Sequence, residues 1–313
     1  MADNKYDVII VGGGPAGLTA AIYSARRAMK TLIVSMDIGG QMAMTNSIEN
    51  YPGYDEIDGP LLGQKMLAQA EKSGSTLVMA EVAKIEKQAD GFLLETVDGQ
   101  QFLSRAVIMA FGLTPRNLNV PGEKEFTGRG VAYCATCDGP LYKGKTVAVI
   151  GGGNSAMDAA EYLSKIVEKV YILVRQDKFR GEEVLMERVK SEPKIEILFE
   201  SAVQEIKGDK KIETLVYDQK GESKEIKIDG VFVEIGHVAK TDWVKDLLNL
   251  TEMREINVNM DCETNTPGVF AAGDITQTAY KQVVISAGDG ARAALQAYKY
   301  LQGGKVSGPD WNK

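Results

Sequence analysis

The chain has 313 residues, 44% hydrophobic and 25% charged, which is the balance of a globular protein with room for two ordinary domains. A formal charge of −7 excludes a phosphate-backbone partner, so no nucleic acid is expected. No apolar run approaches the ~18 residues that cross a bilayer, and three cysteines are too few for a stapled secreted scaffold, so no membrane partner and a cytoplasmic, reducing address are expected.

The amino terminus, MADNKYDVIIVGGG, passes from a short polar leader straight into glycines and shows no secretory n-region or cleavage site. From Asp7 to Ser35, DVIIVGGGPAGLTAAIYSARRAMKTLIVS reads as an apolar strand, a glycine turn, an Ala-rich helix and a second apolar strand. That is a βαβ unit with G-x-G-x-x-G at its first turn, in Gly12, Gly14 and Gly17. The first glycine permits the tight turn, the second lets backbone amides approach a diphosphate, and the third lets helix and strand close up.

GFLLETVDGQQFLSRAVIMAFG then alternates apolar and polar residues around a DG turn, which predicts a β-meander returning to a buried strand. CATCDG follows, with Cys134 and Cys137 one turn apart; zinc ligation, a structural disulfide and a redox couple are the options. Next, TVAVIGGGNSAMDAAEYLSKIVEKVYILV, from Thr146 to Val174, repeats the first unit with Gly151, Gly153 and Ala156 in the loop. A spacing of roughly 140 residues is too long for a solenoid and suits two similar domains. KIETLVYDQKGESKEIKIDGVFVEIG repeats the meander arrangement, TPGVFAAGDI is a buried strand ending at Gly273-Asp274, and VVISAGDGARAALQAYKYL has a helical apolar period. The tail is expected to fray. The fold class is therefore α/β, with two dinucleotide-binding (Rossmann-like) domains.

The paired glycine loops flanking CATCDG, together with GGQM (Gly39 to Met42), ENYPG (Glu49 to Gly53) and GDITQTAYKQV (Gly273 to Val283), make the chain resemble the low-molecular-weight thioredoxin reductases. The likeness runs over nearly the whole length. It implies an FAD domain built from roughly residues 1–116 and 243–313, with a pyridine-nucleotide domain inserted at about 117–242 that carries the cysteines. It also implies a homodimer, with thioredoxin or a thioredoxin-like protein as partner. By the same resemblance Gly12, Gly14, Pro15, Ala16 and Gly17 hold the FAD diphosphate, and Gly40, Gln41 and Asn50 line the flavin side. Asp274 lies at the ribityl chain and Gln282 near the isoalloxazine, with Lys281 in a position often held by Arg. Ser35, Gly112 and Val283 complete the FAD set. Gly151, Gly153, Asn154, Ser155, Ala156, Arg175 and Arg180 would hold NAD(P)H.

The nucleotide segment LVRQDKFRG departs from the family's His-Arg-Arg followed by another Arg: Val174 and Gln176 replace two members, while Arg175 and Arg180 remain. NADPH is the favoured donor, NADH is next with Asp177 near a free ribose, and reduced ferredoxin or another reductant is the alternative.

Zinc needs four ligands, and Cys134, Cys137, Cys262 and His237 lack a second short-spaced pair, so no metal is expected. His237 is expected in the loop after VFVEIG, and Cys262 as an inert buried thiol. A permanent disulfide across so short a loop constrains the unfolded chain little. A redox couple fits better, because CxxC keeps the second sulfur within reach of a mixed disulfide and a helix start favours the thiolate. Asp138 is then a general acid or base, or else a helix cap. The resemblance implies that electrons pass from NAD(P)H through FAD to a Cys134–Cys137 disulfide and on to the partner, with Cys137 facing the flavin and Cys134 attacking the partner. GLTPRN and IGHVAKTD are candidate hinges for the domain rotation this needs.

Overall fold

A computed structural model describes residues 4–44 and 48–304, apart from the side chain of Cys137. The tail from position 305 lies outside the described residues, so its expected fraying is not addressed. The chain divides into two compact units, one made of residues 1–43, 49–114 and 238–313 and the other of 44–48 and 115–237.

The first unit begins with β1 (Lys5–Val11), α1 (Pro15–Arg26) and β2 (Thr31–Ser35). It continues through α2 (Gly59–Lys72), β3 (Thr76–Met79), β4 (Val82–Gln88), β5 (Gly91–Thr96) and β6 (Gln101–Met109). These strands lie in the order β3-β2-β1-β6-β5-β4, parallel from β3 to β6 and antiparallel beyond. The sequence of β6 explains how one strand serves both kinds of pairing. QFLSR alternates buried and exposed residues, as a strand wetted on one face must, and Ala106–Met109 is then buried throughout, as a strand covered on both faces must be. The meander therefore returns directly into the parallel core.

The second unit follows β7 (Thr114–Pro115) with α3 (Glu123–Phe126), β8 (Val131–Ala132), α4 (Ala135–Asp138), β9 (Thr146–Ile150), α5 (Asn154–Ser164) and β10 (Lys169–Val174). Then come α6 (Glu183–Ser191), β11 (Ile195–Phe199), β12 (Ser201–Gly208), β13 (Ile212–Gln219), β14 (Glu222–Lys227) and β15 (Gly230–Val233). The parallel sheet runs β11-β10-β9-β15-β8, and β12-β13-β14 form a separate antiparallel sheet. Here the meander does not continue into the parallel strand as it does in the first unit. The chain breaks at Ile228-Asp229: Asp229 accepts the Thr146 N–H at 3.0 Å, and Gly230 lies against the Tyr142 ring with no room for a Cβ. Alternate residues of β9 serve opposite faces. Val147 and Val149 meet α5 and α6, while Ala148 and Ile150 meet Ile206, Leu215 and Tyr217 of the antiparallel sheet.

The chain returns through β16 (His237–Val238) to β17 (Val269–Ala271), which pairs with β6 in parallel, and the last element among the described residues is α7 (Val283–Leu301). The crossing segments β7 and β16 pair as a two-stranded ribbon. His237 is thus an exposed strand residue rather than a loop residue, because the ribbon extends the chain just past Gly236. No helix among the described residues is long and apolar enough to cross a membrane.

Glu123 ties the start of the second unit together. Its buried carboxylate accepts the N–H groups of Leu118 and Asn119, both at 2.7 Å, and the Tyr133 hydroxyl at 3.1 Å. Burial, together with the negative charge of Glu123, pushes the Tyr133 phenol up to about 12. Glu123→Ala leaves all of these donors unpaired, at about 1–3 kcal/mol for a buried group. Urea unfolding of the variant is therefore expected to show a lower midpoint at unchanged slope.

Candidate functional site

The two glycine loops can be judged atom by atom. Gly12 adopts φ +113° and would drive a Cβ into the Ala110 carbonyl; Gly17 would drive one into the Gly12 carbonyl. Both glycines are required by the chain itself. Gly14 is different, with φ −80° and ψ −175°, a conformation open to any residue, and an added Cβ would meet nothing nearer than the Gly39 oxygen at 3.9 Å. Its missing side chain leaves a cradle at the head of α1, where Pro15 occupies the first turn, no side chain caps the helix and no acid enters the first turn. Free helix-terminal amides with room for close approach suit a diphosphate.

The second loop repeats this division. Gly151 takes φ +150° and abuts the Glu234 carbonyl, with Ala156 beneath it. Gly153 has φ −99° and ψ −176°, and its Cβ would meet only the Arg180 oxygen, at 3.7 Å. Among these residues α5 likewise has no capping side chain and no acid in its first turn. Two cradles of one design, each with a glycine that packing does not explain, fit two dinucleotides.

The other predicted FAD residues lie in the first unit. Ser35 Oγ accepts the Gly13 N–H at 2.8 Å and donates to the Asp37 carbonyl at 2.7 Å, fixing the loop from the end of β2. Gly40 donates to Asp37 Oδ1 at 3.0 Å, Gln41 donates to the Leu113 carbonyl at 3.0 Å, and Asn50 donates to Gln282 at 3.2 Å. Gly112 needs φ +63° and has open space where a Cβ would stand. Ala16 is buried beneath α7, and Val283 opens that helix. Asp274 accepts the Ser286 hydroxyl at 2.9 Å. Lys281 is spent within the chain: its ammonium donates to Glu255 at 2.8 Å and to the carbonyls of Asp274 and Thr276 at 3.0 and 2.6 Å. With three donors and three acceptors, it holds the Gly273–Ile275 turn in place and acts on a ligand only through that turn.

In the second unit the segment after β10 folds back on the glycine loop. The Arg180 N–H donates to the Gly152 carbonyl at 2.7 Å, and Asn154 accepts the Glu182 N–H at 2.9 Å. Val174, in the place of the family's His, is buried, and its Cγ1 would lie 2.6 Å from a Cβ on Gly152. Arg175, Arg180 and Ser155 are exposed.

Cys134 stands at the head of α4 and is disulfide-bonded; the side chain of Cys137 lies outside the described residues. The sulfur of Cys134 is 3.4 Å from the Thr136 hydroxyl. Asp138 is buried at the end of α4, its N–H donating to the Cys134 carbonyl at 3.1 Å, and it makes no side-chain cap to the helical turn that follows. Burial first, and then the charges of Asp138 and Asp229, push the Tyr142 phenol up to about 12. Cys262 is a free, buried thiol pushed up to about 11, chiefly by burial. No group of three or more metal-ligating side chains is gathered among the described residues.

Sequence reasoning missed one acid beside the cysteines. The half-buried carboxylate of Glu234, just past the end of β15, is pushed up to about 7 by burial, which the backbone of Ala135 opposes. The available signal was a charged residue inside the apolar run VFVEIG.

Comparison with known proteins bears on both loops at once. The family model described as pyridine nucleotide-disulphide oxidoreductase matches residues 6–290. A thioredoxin reductase of Bacillus subtilis (strain 168) is 40% identical over 309 residues, covering 96% of this chain and 97% of that protein. An NADH dehydrogenase of the same organism is 42% identical over 304 residues, covering 96% of this chain; the chain spans only 60% of that relative's length. The solved structure of a thioredoxin reductase from Streptococcus pyogenes MGAS5005 superposes with a TM-score of 0.87 at 37% identity, covering 96% of this chain and 100% of that one.

Proposed function

We infer what this protein does from the premise that it belongs to the pyridine nucleotide-disulphide oxidoreductase family: it is an FAD-dependent disulfide reductase of the thioredoxin reductase type. The observation that carries this reading is the coincidence, in one chain, of two diphosphate cradles with a disulfide-bonded cysteine at a helix start. Gly12, Gly14, Pro15, Ala16 and Gly17 hold the FAD diphosphate, Asp274, Gln282 and Val283 lie along the cofactor, and Lys281 fixes the turn that presents Asp274. Gly153, Asn154, Ser155 and Ala156 receive the pyridine nucleotide, with Arg175 and Arg180 beside its ribose.

When bound, the flavin supplies a two-electron relay between a nicotinamide hydride and a disulfide. The chain's own part is to orient and to manage protons. Two residues lie between Cys134 and Cys137, so a mixed disulfide formed at one sulfur is resolved by the other without diffusion. Thr136 offers a hydroxyl to the Cys134 sulfur, and Asp138, buried and not used as a cap, gives or takes the thiol proton. The ribbon of β7 and β16 is the hinge on which the inserted unit turns. The partner is a small protein of the thioredoxin kind, the working form is a homodimer and the compartment is the cytoplasm.

NADPH is the preferred donor. Arg175 and Arg180 are both solvent-facing and able to meet a 2′-phosphate, although one guanidinium of the usual clamp is replaced by Gln176. Stopped-flow bleaching of the flavin tests this. Bleaching by NADPH that slows about 10-fold or more in Arg175→Ala, with NADH unaffected, is the expected result. Bleaching by reduced ferredoxin and by neither nucleotide overturns it.

A further inference from the structure

We propose that Asn154, Gly181 and Glu182 form a clasp that fixes the arginine-bearing arm against the second glycine loop, which makes Asn154 and Gly181 positioning residues for recognition of a ribose 2′-phosphate. The proposal deepens, and rests on, the NADPH reading above. All of its geometry lies within the second unit. The arm is the chain from Arg175 to Glu182, between β10 and α6.

The arm is pinned at four points. Near its start the Gln176 carbonyl accepts the Glu200 N–H at 2.9 Å. Phe179 is buried in the core, its ring edge-on to Phe199 with 5.1 Å between centroids. The Arg180 N–H donates to the Gly152 carbonyl at 2.7 Å, and the Glu182 N–H donates to Asn154 Oδ1 at 2.9 Å. Glu182 then opens α6, its carbonyl accepting the N–H groups of Leu185 and Met186, both at 3.1 Å. The last tie therefore fixes both the end of the arm and the start of a helix.

Asn154 is the first residue of α5, beside the cradle left by Gly153. Its side-chain amide is spent on the arm. Oδ1 accepts from the Glu182 backbone, and Nδ2 faces the Glu182 carboxylate at 3.5 Å. Gly181 is what permits so close an approach. A Cβ there would be driven into Asn154 Oδ1 and would lie 2.6 Å from Met157 Cε. Gly181 is solvent-exposed and is not among the left-handed glycines, so no turn demands it. Its missing side chain makes room for the clasp.

Arg175 and Arg180 project to solvent from a backbone that is already tied down. A phosphate that meets them has only side chains to order, whereas a loose arm would also surrender backbone freedom on binding. Such preorganisation strengthens the hold on the group the arm meets and leaves the rest of the nucleotide alone.

Calorimetric titration of the full-length, FAD-loaded protein with adenosine 2′,5′-bisphosphate and with adenosine 5′-monophosphate reads the 2′-phosphate contribution as a ratio of affinities, with no turnover involved. The parent is expected to favour the bisphosphate at least about 10-fold. In Gly181→Ala, which pushes the Asn154 amide away, and in Asn154→Ala, which deletes it, that ratio should fall at least about 5-fold. A merely structural defect would weaken both ligands alike, and a ratio held at its parental value overturns the proposal. Amide exchange followed by mass spectrometry gives a second reading without any nucleotide. Peptides spanning positions 179–184 should exchange at least about 10-fold faster in both variants, while those of β9 and β10 keep their parental rates. Parental protection of the arm in either variant is equally fatal. A parent that binds the two nucleotides equally would instead bring down the NADPH reading, and the clasp's part in recognition with it.

Discussion

A Cys134→Ser, Cys137→Ser protein should keep its FAD and its bleaching by nucleotide while reducing a thioredoxin-like disulfide at least about 10³-fold more slowly. The sulfur couple is the last carrier in the proposed sequence and is separate from the residues proposed to hold either dinucleotide, so cofactor loading should survive its loss. The single variants should separate the two roles. Cys137→Ser leaves Cys134 to attack the partner with nothing to resolve the product, so a mixed disulfide accumulates on a non-reducing gel. Cys134→Ser should form no such adduct. An adduct through the other position would reverse the assignment of the two sulfurs.

The second large effect is expected at Gly14. A Gly14→Val protein should fold and melt as the parent does, yet bind FAD at least about 100-fold more weakly, close to 2.8 kcal/mol. Its backbone lies in an ordinary extended conformation, and beyond its own chain neighbours the nearest atom to the new Cβ is the Gly39 oxygen at 3.9 Å, so folding has no reason to object. The branched side chain would instead fill the cradle where the diphosphate must meet the amides of α1. Gly17→Val is the control, since its Cβ collides with the Gly12 carbonyl and it should fail to fold. Purified protein, absorbance of bound flavin and a thermal melt are sufficient. A yellow Gly14→Val protein with parental affinity would remove the first cradle from the account.

The contrast between Gly14 and Gly17 shows what was legible in the sequence. The G-x-G-x-x-G spacing gives each glycine a different physical reason, and the backbone angles and clashes at Gly12, Gly14 and Gly17 divide along those lines. Buried-strand composition likewise placed β1, β2, β9 and β10, because strands covered on both faces leave no polar alternation to confuse the reading. The second meander was less legible. Its strands were readable, but their separation into a different sheet depends on Asp229 and Gly230 meeting Thr146 and Tyr142, contacts that local pattern does not encode. His237 was read as a loop residue for the same reason, since two-residue strands exist only by virtue of a partner.

At the candidate site, motif spacing pointed to the cysteines and glycines, but not to what steadies them. Lys281 was placed among the cofactor ligands by its position in GDITQTAYKQV, and its ammonium is instead consumed by Glu255 and two carbonyls. Glu234 was passed over because it sits far along the chain from Ala135, whose backbone bears on its carboxyl. Such second partners are set by three-dimensional proximity, which single-sequence periodicity does not carry.

The central claim is that electrons taken up at the flavin pass into the Cys134 couple before they leave the protein. Anaerobic titration with the working nicotinamide donor, counting reducing equivalents per flavin and free thiols in the same sample, tests it most directly. The account predicts that the parent takes up twice the equivalents of the double-serine protein and exposes two additional thiols. Equal uptake by both proteins, with no new thiol in a parent that still turns over, would contradict it.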